Sequence, residues 1–133
     1  MNKKELMSYA DEMKLKYDYH YKFLDAFNER CDRIKKSSRL KLKIAETIKE
    51  EHDVLIDVCL YRRFYYNSLP WFDFYIPKFN LYIKLCSSNE ERENAFMAFR
   101  NKNIVLIPHT VNDVDVVMQL IADKIIKMAT LSK

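Results

Sequence analysis

The sequence predicts an α/β domain, with a mixed central sheet of about four strands flanked by helices and preceded by a helical amino-terminal extension. Three observations predict it. Apolar residues recur every three or four positions from residue 3 to about 36, and again after Ser37-Ser38, which is helical spacing. Three short runs rich in β-branched and aromatic residues follow, at Val54 to Leu60, Phe72 to Ile76 and Phe79 to Leu85. A helix-length segment then separates the third run from a fourth, Ile104 to Ile107. A strand–helix–strand order calls for a parallel crossover, while the short Pro77-Lys78 link calls for a hairpin, so the sheet is mixed.

The elements follow from local signals. Leu6, Tyr9, Met13, Tyr17, His20 or Tyr21, Leu24, Phe27 and Cys31 or Ile34 mark one long helix, or two in line, and the tyrosines among them read as packing surface. Ser37-Ser38 offers N-cap hydroxyls to the next helix, whose face is Leu40, Ile44 and Ile48, with Lys41, Lys43, Glu46 and Lys49 elsewhere. Trp71 is expected at the sheet edge. Ser88-Asn89-Glu90-Glu91 has capping-box form and opens a helix expected to turn Ala95, Phe96 and Phe99 inward. The unbroken run Ile104 to Ile107 suits a strand buried on both faces and ends at Pro108. Asn112-Asp113 caps a last helix with Val116, Val117, Leu120, Ile121 and Ile125 on its buried side.

With 133 residues the chain fits one domain, organised as an extension over 1–36 and an α/β unit over 37–133. Hydrophobic residues at 49% and charged residues at 32% place it among folded globular proteins and exclude a disordered chain. No apolar run approaches the ~18 residues that span a bilayer, so no membrane partner is expected. The start, Met1-Asn2-Lys3-Lys4-Glu5, lacks the apolar stretch of a secretory signal, which points to the cytoplasm, or a host's cytoplasm for a viral protein. Cys31, Cys59 and Cys86 form no zinc-type spacing with His20, His52 or His109 and read as reduced thiols. Cys86 shows no partner for nucleophilic work, and His109, at a strand end, reads as incidental. Glycine is absent, which excludes glycine-built phosphate cradles. The net charge of +4 is a weak pointer to nucleic acid.

Asp73-Phe74-Tyr75-Ile76-Pro77, then Asn80-Leu81-Tyr82-Ile83-Lys84-Leu85-Cys86, preceded by Ser38-Arg39-Leu40-Lys41 and followed by Ile104 to Ile107, carry a resemblance. In segment order they resemble the very-short-patch-repair-like branch of the PD-(D/E)XK endonucleases, over roughly residues 37 to 130. The resemblance implies a restriction-endonuclease-like fold in which Asp73 is the metal-binding aspartate. It puts Lys41 where the family has a helix glutamate, Lys84 at the strand glutamate and Cys86 at the following acid. In a second register Tyr82-Ile83-Lys84 matches the E-x-K half-motif, and Lys84 is then the catalytic lysine with Tyr82 in place of the acid.

Hydrolysis of a phosphodiester by this family's route needs hard oxygen ligands around Mg²⁺ or Mn²⁺. A lone Asp73 beside a lysine holds such an ion poorly, so no metal or other cofactor is expected. Three readings follow. The first is a catalytically silent nuclease-fold protein that binds DNA, RNA or a protein complex handling them. Its contacts would be Lys35, Lys36, Arg39, Lys41, Lys43 and Lys84, with Arg33 nearby, and a phage or mobile-element origin suits the Lys/Asn/Tyr-rich composition. In its bland form Asp73 and Lys84 make an ion pair and the basic run is solvated. The second is an active metal-dependent endonuclease using Asp73 and Lys84 with Asp57 or Glu46 as a migrated acid. The third is an inhibitory or structural protein that forms a homodimer through the amino-terminal helix.

Overall fold

A computed structural model describes residues 1–17, 27–59, 71–100 and 103–131. Its elements run α1 (Lys3–Lys16), α2 (Phe27–Lys35), α3 (Arg39–Lys49), β1 (Leu55–Cys59), β2 (Trp71–Ile76), β3 (Leu81–Leu85), α4 (Asn89–Phe99), β4 (Ile104–Ile107) and α5 (Val114–Leu131). The expected α/β class with a four-stranded mixed sheet holds. Strand order is β1-β2-β3-β4, with β1, β2 and β3 antiparallel in succession and β4 parallel to β3.

The amino-terminal helical stretch divides. α1 starts on a capping box in which Asn2 accepts from the Glu5 N–H at 2.8 Å and Glu5 answers the Asn2 N–H, and it ends at Tyr17, where the backbone leaves helical space. The expectations on His20, Tyr21 and Leu24, and on Tyr61 to Pro70, lie outside the described residues. Leu6, Tyr9, Ala10 and Met13 join the same core cluster as Ile34, Ile44, Ile48, Ile56, Phe74, Ile83, Val117 and Ile121. α1 is therefore part of the core. Along the amino-terminal helical stretch Leu6 and Met13 are thus packed within the monomer, while Leu15 and Phe27 remain exposed.

Ser38 caps α3 by accepting from the Lys41 N–H at 3.1 Å, and Ser88 caps α4 by accepting from the Glu91 N–H at 3.1 Å. The Glu91 carboxylate answers Ser87, not Ser88, through the Ser87 hydroxyl at 2.6 Å. The link between β2 and β3 is a 3₁₀ turn over Pro77–Phe79, closed by Asn80 at φ 50° with its amide oxygen held by the Tyr75 hydroxyl at 2.8 Å. Asn tolerates this left-handed conformation better than most residues, so it takes a role glycine usually fills.

Four expectations are corrected. Trp71 begins an interior strand, not an edge. Among the described residues β4, like β1, is an edge strand, and only its Val105 and Ile107 are buried while Ile104 and Leu106 are half-buried. On α4, Ala95 is buried and Phe99 half-buried, but Phe96 faces solvent. Likewise Val116 of α5 is exposed, and Val117 and Ile121 carry the buried stripe.

Candidate functional site

Lys41 lies on the buried stripe of α3, one and two turns ahead of Ala45 and Ile48 and beside Ile44. That placement drives its side chain into the interior, where burial of an ammonium demands carboxylate partners. Two are supplied. Nζ of Lys41 sits 2.7 Å from both Oδ1 and Oδ2 of Asp57 on β1, and 3.3 Å from Oδ1 of Asp73 on β2. Arg33 of α2 approaches from the other side, with Nε donating to Asp57 Oδ1 at 2.8 Å and Nη2 to Asp73 Oδ1 at 3.3 Å. Asp57 and Lys41 are closed off, and Arg33, 32% exposed, is the member that reaches solvent.

The sheet is deformed to make this cluster. The β1–β2 register pairs Ile56 with Phe74 and Val58 with Phe72 but passes over Asp57 and Asp73. Asp57 has φ 51°, a left-handed conformation that costs a non-glycine residue about 1–3 kcal/mol unless its surroundings hold it. They do so here: besides its side-chain contacts, its carbonyl accepts from Arg30 Nε at 2.9 Å. Asp73 in turn replaces a ladder bond with its own side chain, Oδ2 accepting from the Leu85 N–H at 2.7 Å. The Trp71 ring lies within 5.8 Å of the Arg30 guanidinium and 5.2 Å of that of Arg33, and its indole N–H donates to Glu29 at 3.3 Å. Burial pushes the Asp57 carboxyl above the usual carboxylate range, against the opposing pull of Lys41 and Arg33.

The structure thus brings Asp57 and Asp73 together, with Lys41 between them. It does not unite the rest of the anticipated set. Lys84 does not form the anticipated ion pair with Asp73: its Nζ donates to the Trp71 carbonyl at 2.7 Å, lies 5.6 Å from the Phe72 ring and stands 3.9 Å from Glu91 of α4. Asp73 instead looks toward α2 and α3. Glu46 is exposed and binds the Met1 amino group at 3.1 Å, so it adds no acid to the cluster. Among the described residues no group of three or more His, Cys, Asp or Glu side chains converges as metal ligands. Lys41 is enclosed and makes no surface contact point, whereas Lys35, Lys36, Arg39 and Lys43 are exposed at the α2–α3 junction. Burial raises the Cys59 and Cys86 thiols, which keeps them protonated and unreactive. His52 packs edge-on to Phe79 at 5.2 Å, and His109 is exposed.

Sequence reasoning missed Arg30 and the inward course of Lys41. The spacing of Lys41 with Ile44, Ala45 and Ile48 was the available signal for the second. No helix among the described residues is long and apolar enough to cross a membrane. Compared with models of protein families, with curated proteins and with solved structures, the chain matches none.

Proposed function

We propose that the protein is a catalytically silent member of the PD-(D/E)XK nuclease fold that works in the cytoplasm by binding nucleic acid without cutting it. One observation carries the silent part: the ammonium of Lys41 sits among three carboxylate oxygens of Asp57 and Asp73, the place a divalent cation would need. Two carboxylates facing two cations have no net negative charge with which to draw in Mg²⁺, and extracting a buried lysine would leave uncompensated charges behind. The binding part is supported by Lys35, Lys36, Arg39 and Lys43, exposed together where α2 gives way to α3. The first turn of α3 carries no acid to complement its helix dipole, so a phosphate there would relieve an unfavourable arrangement.

A gel assay with labelled single- and double-stranded DNA and RNA, in EDTA, Mg²⁺ or Mn²⁺, tests both parts. The expected result is a salt-sensitive shift with no cleavage. If four phosphates are contacted, log K against log salt has a slope of about −3.6 on duplex DNA, and each Lys→Glu or Arg→Glu change at these positions reduces it by about 0.9. Metal-dependent cleavage lost in Asp73→Ala would instead establish the endonuclease reading, which the convergence of Asp57 and Asp73 keeps as the second candidate.

A further inference from the structure

At the opposite side of the sheet from the charge cluster, the edge strand β4 borders an open groove of about 610 Å³. Its apolar floor is Phe96 and Met97 of α4 with Ile104 and Leu106 of β4, and Arg92, Arg100 and Lys124 stand around it. Phe96 is 58% exposed and Met97 62%, an unusual pair of neighbours to leave in water.

The backbone of β4 adds a second feature. In a parallel pair the bonding groups of a strand alternate between its two sides. The Asn103 carbonyl accepts from Tyr82 and the Ile107 carbonyl from Cys86, both at 2.9 Å, so residues 103, 105 and 107 bond toward β3. The N–H and C=O groups of Ile104 and Leu106 therefore face the edge that no strand among the described residues covers, beside the groove that their own side chains line. An open strand edge next to apolar pockets is the geometry of strand addition, in which main-chain bonds supply affinity and alternate side chains supply specificity.

Charge selects the occupant. Three cations, Arg92, Arg100 and Lys124, meet one acid, Glu93, among the lining residues, a balance of 3 − 1 = +2. A second copy seated symmetrically would set these cations against themselves. A nucleic-acid backbone has no N–H groups to offer the carbonyls of Ile104 and Leu106 and gains little from Met97. We propose that the groove docks an extended acidic segment of a partner protein, which adds a strand to β4. Its alternate apolar side chains lie on Phe96, Met97 and Leu106, and its carboxylates meet Arg92, Arg100 and Lys124. This inference stands apart from the nucleic-acid reading and survives that reading's failure.

The probe is a short fluorescent peptide alternating valine with glutamate, titrated by anisotropy into the wild-type chain, Phe96→Ser and the pair Arg100→Glu/Lys124→Glu. Phe96 and Arg100 are exposed and Lys124 is half-buried, and circular dichroism confirms that each variant is folded. Comparison probes are the same peptide N-methylated along one backbone edge, a lysine-for-glutamate version and a single-stranded oligonucleotide. The expected result is saturable binding that weakens at least about tenfold in each variant, after N-methylation and with lysine. No saturable binding, binding indifferent to N-methylation or to the variants, or an oligonucleotide that binds and is lost in Phe96→Ser would each overturn the proposal.

Discussion

Asp53 and Asp57 stand one helical turn's worth of sequence apart, and each is paired with a lysine at 2.7 Å, yet the protein treats them in opposite ways. Asp53 lies near the surface, where the Lys16 hydrogen bond and then the Tyr17 hydroxyl hold its carboxyl below the usual range. Asp57 is wholly enclosed, and loss of water raises it although two cations touch it. Equal bond lengths thus conceal different energetics. At the surface, water screens the pair and little is gained or lost; in the interior, each charge is tolerable only because the others are there.

The sharpest way to break this comparison is to remove one partner from each pair. Lys41→Ala is expected to lower unfolding free energy by about 3–5 kcal/mol, because it strands Asp57 without its principal counter-ion. Urea denaturation measures it. A smaller loss, about 1–3 kcal/mol, is expected for Tyr9→Phe, which removes the hydroxyl that accepts the buried Val54 N–H at 3.1 Å. Lys16→Ala should give the smallest change, since that side chain is exposed to solvent. A double-mutant cycle on Lys41 and Asp57 should show far stronger coupling than one on Lys16 and Asp53.

Acid titration of stability sharpens the contrast further. The folded pKa of Asp53 is lowered, so its contribution is present above the unfolded value of about 3.9 and disappears as pH falls through the folded one. The stability gap between wild type and Asp53→Asn should therefore close on acidification. The folded pKa of Asp57 is raised, so its contribution is present below about 3.9 and is lost as pH rises through the folded value. The deficit of Asp57→Asn should then narrow as pH rises, and parallel curves for the two variants would contradict the assignment.

Much of the fold was legible because its signals are local. Ser38 and Ser88 announced their helices, and each strand's position followed from β-branched and aromatic residues within a residue or two. What could not be read depended on partners distant in sequence. Lys41 looked like a solvent-facing charge until Asp57 and Asp73 arrived beside it from two strands, although its helical spacing with Ile44, Ala45 and Ile48 pointed inward. An acid inside the apolar run of Val54 to Leu60 was the matching clue, and Asp57 does reach the site. Lys84 misled, because strand alternation says which residues share a face but not which partner a long side chain will choose; the Trp71 carbonyl took it. The run Ile104 to Ile107 suggested a strand covered on both faces, and Phe96 an inward one, because apolarity alone does not distinguish an interior strand from an edge beside an open groove.

Lys41 already occupies the position between Asp57 and Asp73 that a divalent cation would need. Calorimetric titration of Mn²⁺ into the wild-type protein tests it most directly. No saturable heat is expected, while saturable binding that disappears in Asp73→Ala would show that the position is open to a metal.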